Sequence, residues 1–189
     1  MLRHGHTHWN REGRLQGRTD IALDEEARAG LIRLQLPVEW QTASLWSSPL
    51  KRAIGTAEVV SGRTPQIDAR LMEMDWGDWE GMKRTQLFED PALDYRHVED
   101  WGWHYTPPNG ESPAAMRARL IPWVSGLAGR NVAVCHIGVM RIVLAHAMGW
   151  NFDGPAPFVI KRNRLYVIRI SGGIWSADHE PARLIEVGP

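Results

Sequence analysis

Apolar and polar positions along the chain fall into two alternating patterns. In "LDEEARAGLIRL" the residues Ala27, Leu31 and Leu34 recur at helical spacing, and Asp24 stands where an N-cap belongs. A short extended run, "SLWSS" (44–48), leads into "SPLKRAIGTAEVVSG". There Ser48 is the expected cap, Pro49 the first helical residue and Gly62 the stop. "SPAAMRARLIPWVSGL" repeats the device with Ser112 and Pro113, and Met116, Leu120, Trp123, Val124 and Leu127 define one face. A kink is expected at Pro122. "NVAVCHI" (131–137) is continuously apolar, as in a strand buried on both faces, and "GVMRIVLAHAMGW" follows as an apolar helix ending near Gly149. "LYVIRI" (165–170) reads as a further strand and "RLIEV" (183–187) as a short edge strand.

Strands alternating with helices predict an α/β fold: a three-layer sandwich with a mostly parallel central sheet flanked by helices. Residues 80–111, rich in charge, Trp and Pro, break the rhythm and are expected to form a small cap over one end of the sheet. At 189 residues, one domain spanning 1–189 is the default.

Composition narrows the classes. The 22 Lys and Arg balance 22 Asp and Glu, which argues against a nucleic-acid surface and makes any anion site local. One cysteine, Cys135, cannot close an internal disulfide and suits a reducing compartment. No run approaches the ~20 apolar residues that span a bilayer, and no signal-peptide pattern opens the chain. A cytoplasmic protein without membrane partners is expected. Among 10 tryptophans, Trp76, Trp79, Trp101 and Trp103 cluster in or beside the cap, where packing is the plainer reading and a ligand-lining role the sharper one.

Chemistry concentrates at helix starts and strand ends. "MLRHGHTHWN" places His4, His6 and His8 at alternate positions behind Arg3, the pattern a three-histidine metal site would use on a strand. Gly5 is expected to end that strand at His4, and no later Asp/His cluster completes a two-metal hydrolase, so no metal is assigned. The polar groups that topology would gather beyond the carboxyl ends of the strands are Arg3, His4, Arg52, Glu73 and His136. That set suits a phosphate and a group to be protonated.

"RHGHTHWNREGRLQGRTD" resembles the signature of the histidine phosphatase superfamily, the phosphoglycerate mutase-like proteins. "SSPLKRAIGTAE", "LMEMDWGDWEG", "NGES" and "VAVCHIGVMR" are similar to that family's further blocks, in its order, from residue 2 to about 141. The resemblance implies His4 as nucleophile, Arg3, Arg52 and His136 as the phosphoryl clamp, and Glu73 as proton donor. It implies Asn10 and Gly17 as further lining of the phosphate pocket, and puts Glu111 and Ser112 near it, where a capping role stands equally open. An unprotonated imidazole is nucleophilic near neutral pH, and forked guanidiniums match phosphoryl oxygens. No cofactor is implied.

The short stretch between the acid block and "NGES", and Arg18 where glycolytic mutases typically show Trp, favour a phosphatase. The expected function is phosphomonoester hydrolysis through a phosphohistidine on a small phosphorylated metabolite. Mutase-type phosphoryl transfer and a non-catalytic phospho-ligand module are the alternatives, and a homodimer is left open. Only Met1 and Leu2 precede Arg3, fewer apolar residues than the family's first strand carries, which leaves open a start further upstream. Met1–Arg3 are nevertheless expected to pair as a short strand.

Overall fold

The computed structural model describes residues 1–187. Short strands and helices alternate along the first half: β1 (Leu2–Arg3), α1 (His8–Arg11), α2 (Glu25–Ile32), β2 (Leu34–Gln35), β3 (Ser44–Ser47), α3 (Lys51–Ser61) and β4 (Gln66–Ile67). Then come α4 (Arg84–Glu89), α5 (Pro113–Ser125), β5 (Asn131–Cys135), α6 (Ile137–Met148), β6 (Arg164–Leu165), β7 (Ile168–Ser171), β8 (Ile174–Ala177), β9 (Ala182–Arg183) and β10 (Ile185–Glu186).

The main sheet has the order β4-β3-β5-β1-β6-β9. Its β4–β3, β3–β5 and β5–β1 pairings are parallel, and only β6 runs against its neighbours. The sheet is therefore mostly parallel, and β5 lies at its centre. Side-chain alternation along β5 splits the core in two. Val132 and Val134 pack with Leu2, Leu45, Ala53 and Ala57 on the α2–α3 face. Ala133 and Cys135 pack with Met116, Leu120, Val139 and Met140 on the α5–α6 face. This is the three-layer α/β sandwich expected. β1 spans two residues, yet it sits inside the sheet, with Leu2 opposite Val134 on one side and Leu165 on the other.

Helix ends follow local chemistry. Asp24 accepts from Ala27 N and caps α2, Ser112 accepts from Ala115 N and caps α5, and Gly62 and Gly149 end α3 and α6 in left-handed conformations. Three expectations are corrected. α3 begins at Lys51, with Leu50 as N-cap, because Ser48 Oγ instead accepts from Leu50 N inside the preceding turn. "LYVIRI" is divided: Arg164–Leu165 join the main sheet, while Ile168–Ser171 turn away to form the β7–β8 hairpin, which packs on α6. "RLIEV" is divided likewise, β9 pairing with β6 and β10 with β2.

The 80–111 excursion holds α4 and single 3-10 turns. Gly102 N bonds Phe152 O and Gly154 N bonds Glu99 O, which ties it to the chain after α6. Trp76, Trp79 and Trp101 are buried in an aromatic cluster with Tyr95 and Tyr105, Trp76 and Trp101 meeting edge-on at 5.4 Å. Packing accounts for these three indoles. No helix among the described residues is long and apolar enough to cross a membrane.

Candidate active site

β1 delivers His4 to the carboxyl end of the sheet, where His4 N donates to Cys135 O at 2.9 Å. The next backbone amide, Gly5 N, donates to Thr56 Oγ1 on α3 at 3.0 Å. His4 Nδ1 lies 2.6 Å from Gly5 O. A carbonyl can only accept, so Nδ1 carries the proton and the neutral ring keeps its lone pair on Nε2.

His136 ends β5 and opens α6 with its ring centroid 5.1 Å from that of His4. It takes the opposite tautomer. Arg52 Nε donates to His136 Nδ1 at 3.3 Å, which puts the His136 proton on Nε2, a buried atom with no protein partner. One imidazole thus presents a lone pair, and its neighbour presents a free N–H.

Arg52 is wholly buried in the first turn of α3, the end of a helix least favourable to a cation. Its Nη1 donates to Thr19 O at 2.8 Å and its Nη2 to Gly17 O at 2.6 Å. Burial pushes its pKa down to about 10, opposed by the charges of Glu73 and Glu80, so it stays cationic at neutral pH. Arg3 leaves its buried Nε unpaired. Burial first, and Arg162 second, push Arg3 down to about 9. Unpaired buried donors are costly, and an anion is the partner that would satisfy this set.

Burial, then Arg52, then Arg3 hold the His4 imidazole well below its usual range, and burial and Arg52 do the same to His136. Both rings are neutral at pH 7. The unfolded chain, with histidines near 6.5, binds more protons than the folded one once pH falls below that value. Stability should therefore be full above about pH 6.5 and fall steadily below it, as measured by urea unfolding across pH 4.5–8. Replacing His136 with Asn should flatten that slope; an unchanged slope would place the proton uptake elsewhere.

Glu73 follows the 3-10 turn Ala69–Leu71 and is buried. Oε1 accepts from Met74 N at 2.8 Å and Oε2 from Gly138 N at 3.1 Å, so α6 orients both His136 and the carboxylate. Residue 138 must be glycine for this approach, because a Cβ there would overlap Glu73 Oε1. Gly138→Ala should leave the protein folded, with Tm lowered by only a few degrees. It should cut turnover by about 100-fold by displacing the carboxylate. Steady-state kinetics beside a melting curve would check this, and near-normal turnover would show that Glu73 needs no fixed place.

The structure brings Arg3, His4, Arg52, Glu73 and His136 together. Asn10 and Gly17 are held by hydrogen bonds to their surroundings. Asn10 closes a capping box on Thr7, and its amide bonds Gln16 Oε1 and Arg162 Nη2. Gly17 holds Arg52 through its carbonyl, and its N–H bonds Glu80. Glu80 also accepts from Arg18 N and Thr19 N, so it shapes the loop whose carbonyls anchor Arg52. Glu111 grips Arg119 at 2.8 and 2.9 Å, and Arg119 reaches the carbonyls of Arg70, Met72 and Glu73. Glu111 and Ser112 are supports: one steadies the Glu73 segment, the other caps α5.

His4, His6 and His8 do not converge. His4 is buried, His6 is half-buried and His8 is exposed on α1. Among the described residues no group of three His, Cys, Asp or Glu side chains is arranged to hold a metal ion. A groove of about 610 Å³ opens at the other end of the strands, beside Met1, Trp123 and Tyr166, and none of the site residues lines it.

Sequence reading missed Arg162, which donates to His4 O at 3.2 Å and to Asn10 Oδ1 at 2.9 Å. The basic run "KRNR" leading into β6 was the available signal. Arg119 carried none, since its role depends on where α5 passes the Glu73 segment.

The family model of the histidine phosphatase superfamily (branch 1) matches residues 1–180. The chain belongs to that superfamily. Among relatives of this histidine phosphatase, the glucosyl-3-phosphoglycerate phosphatase of Mycolicibacterium vanbaalenii is 33% identical over 174 residues, covering 81% of this chain and 75% of the relative. Phosphoserine phosphatase 1 of Hydrogenobacter thermophilus is 29% identical over 168 residues, covering 80% and 79%. A mycobacterial glucosyl-3-phosphoglycerate phosphatase solved with VO3 superposes with a TM-score of 0.82 at 27% identity, covering 96% of this histidine phosphatase and 97% of that chain.

Proposed function

We propose that the protein hydrolyses phosphomonoesters of small metabolites through a phosphohistidine on His4. One observation carries the reading: His4 Nδ1 is tied to Gly5 O, which leaves the lone pair on Nε2, in a buried cluster where Arg3 Nε and His136 Nε2 are donors without a protein partner. Relatives named as phosphatases of glucosyl-3-phosphoglycerate and of phosphoserine support a small phosphorylated substrate. So does VO3, a phosphoryl-like oxyanion, in a structural relative.

In the first half-reaction the Nε2 lone pair attacks phosphorus and the P–O bond to the alcohol breaks. Glu73 gives a proton to the departing oxygen. Arg3, Arg52 and His136 hold the three equatorial oxygens, where charge spreads in the transition state. In the second half-reaction water attacks phosphorus, Glu73 takes its proton, and the P–N bond breaks to restore the Nε2 lone pair. The Gly5 carbonyl keeps the ring oriented in both. Water rather than a second hydroxyl is the acceptor in this reading, consistent with phosphatase-named relatives and a short cap.

The test is hydrolysis of p-nitrophenyl phosphate with EDTA present, followed by acid and alkaline quenching of the enzyme during turnover. A phosphoenzyme labile to acid and stable to alkali supports the reading. Activity abolished by EDTA would refute it.

A further inference from the structure

β1 ends at Arg3, and the peptide between His4 and Gly5 lies outside the sheet. Gly5 N is taken by Thr56 on α3, but no backbone amide among the described residues donates to His4 O. Arg162 does so from its side chain, with Nε 3.2 Å from that carbonyl. The His4–Gly5 peptide is thereby gripped at both of its polar atoms. The next carbonyl, Gly5 O, is the group that fixes the His4 ring through Nδ1. Gly5 has no side chain to limit its rotation, and a Cβ there would crowd Leu23 and Leu31 at 2.9 Å. What holds the preceding peptide therefore bears on where the imidazole stands.

The chain turns beside Arg162 at a left-handed residue. Asn163, at φ 57°, separates Arg162 from β6, and Leu184 N braces the turn by donating to Asn163 O at 3.2 Å. Arg162 is half-buried, and burial pushes its pKa down only to about 10, so it stays cationic at neutral pH. Its Nη2 makes a second bond, to Asn10 Oδ1 at 2.9 Å. Asn10 Nδ2 donates in turn to Gln16 Oε1 at 3.1 Å, and the adjoining Gly17 O receives Arg52 Nη2. Arg52 Nε reaches His136, whose ring centroid stands 5.1 Å from that of His4. These contacts close a ring around the two imidazoles. Arg162 is the link that joins the backbone of His4 to the loop that anchors Arg52.

We propose that Arg162 is a positioning residue for phosphoryl transfer. Its two hydrogen bonds hold the His4–Gly5 peptide and the Asn10–Gln16–Gly17 segment in one register, so that the Nε2 lone pair and the Arg52 clamp meet the same phosphorus. A rigid guanidinium fork serves two acceptors on separate segments at once, which a single ammonium at that place does not. The inference rests on the phosphatase reading, and it adds to that reading a residue that acts through His4 and Asn10.

Arg162→Met should lower kcat for p-nitrophenyl phosphate by about 30- to 100-fold, the scale of a ~1 Å misplacement of reacting groups. KM and the inhibition constant of inorganic phosphate should stay within about threefold, because Arg3, Arg52 and His136 remain. Arg162→Lys keeps the charge but serves one acceptor, and should recover kcat to about a tenth of wild type. A loss expressed in KM alone, an unchanged kcat in Arg162→Met, or full activity in Arg162→Lys overturns the proposal. The His4 ring gives a readout that needs no turnover. Long-range proton–nitrogen correlation spectra should show its proton on Nδ1 in the wild type and a mixture of tautomers in Arg162→Met. A His4 spectrum unchanged in that variant overturns the proposal. If the wild type hydrolyses no ester, the phosphatase reading fails, while the spectra still decide whether Arg162 positions His4. Should Arg162→Met not fold, Arg162→Lys carries both measurements, and wild-type behaviour in it overturns the proposal.

Discussion

Replacing His4 by alanine should lower kcat/KM for p-nitrophenyl phosphate on the order of 10⁵-fold, the scale seen when a covalent nucleophile is removed. No neighbour can substitute. The His136 ring lies 5.1 Å from that of His4, but its Nδ1 accepts from Arg52, so it presents an N–H and no lone pair. The substitution leaves Gly5 O without its partner and opens a small cavity, for about 1–3 kcal/mol of stability. Tm should fall by several degrees with the fold intact. Phosphate binding should persist, because the guanidiniums and His136 remain. Rapid-quench labelling should show a phosphoenzyme in the wild type and none in the variant. Residual activity within tenfold of wild type would mean that His4 is not the nucleophile.

Arg52 offers the second large effect, and of a different kind. Arg52→Met should cut kcat/KM by about 10³-fold or more, since a charge-assisted clamp on the transferring group is lost. It should also change how the protein responds to ligand. In the wild type, inorganic phosphate or vanadate should raise Tm by mass action, because the anion binds the folded form alone. In Arg52→Met that shift should nearly vanish. The ligand-free melting temperature is set by opposing terms. Removing the guanidinium strands Gly17 O and Thr19 O, at about 1–3 kcal/mol each, yet it also relieves a cation buried at the wrong end of α3. Arg52→Lys should not restore activity, because one ammonium cannot span Gly17 O, Thr19 O and His136 Nδ1. A lysine variant with more than a tenth of wild-type activity would show that charge alone suffices.

The fold was readable where local chemistry acts alone. Asp24, Ser112, Gly62 and Gly149 mark helix ends by capping and left-handed turns, and their neighbours agree. Val132 to Cys135 announce a strand buried on both faces. Reading failed where the sheet decides. Nothing local in "LYVIRI" shows where it divides: Tyr166 still exchanges backbone hydrogen bonds with Met1, and only beyond it does the chain turn into the β7–β8 hairpin. The start of α3 slipped by two residues because Ser48 and Pro49 look like a cap, and the turn before the helix uses them first.

Similarity to the family's blocks picked out the chemical groups of the site, and the structure supplied their supports. Glu80 looked like one acid among several in "DWGDWEG", and it turns out to shape the Gly17–Thr19 loop. Arg162 lies 158 residues from His4, and the basic run "KRNR" around it was the local sign of it.

The two-residue length of β1 has a consequence for how activity appears in time. Everything that fixes His4 comes from far along the chain. Thr56 is 51 residues from Gly5, Cys135 lies in a strand past the midpoint, and Arg162 and Tyr166 come later still. Contacts of such separation form late in folding, because loop closure comes first. A nascent chain halted before residue 166 would carry His4 and Glu73 but lack the Met1–Tyr166 pairing that holds β1 on that side. Recovery of enzyme activity on refolding should then report the last sheet strands docking, later than the return of helical signal.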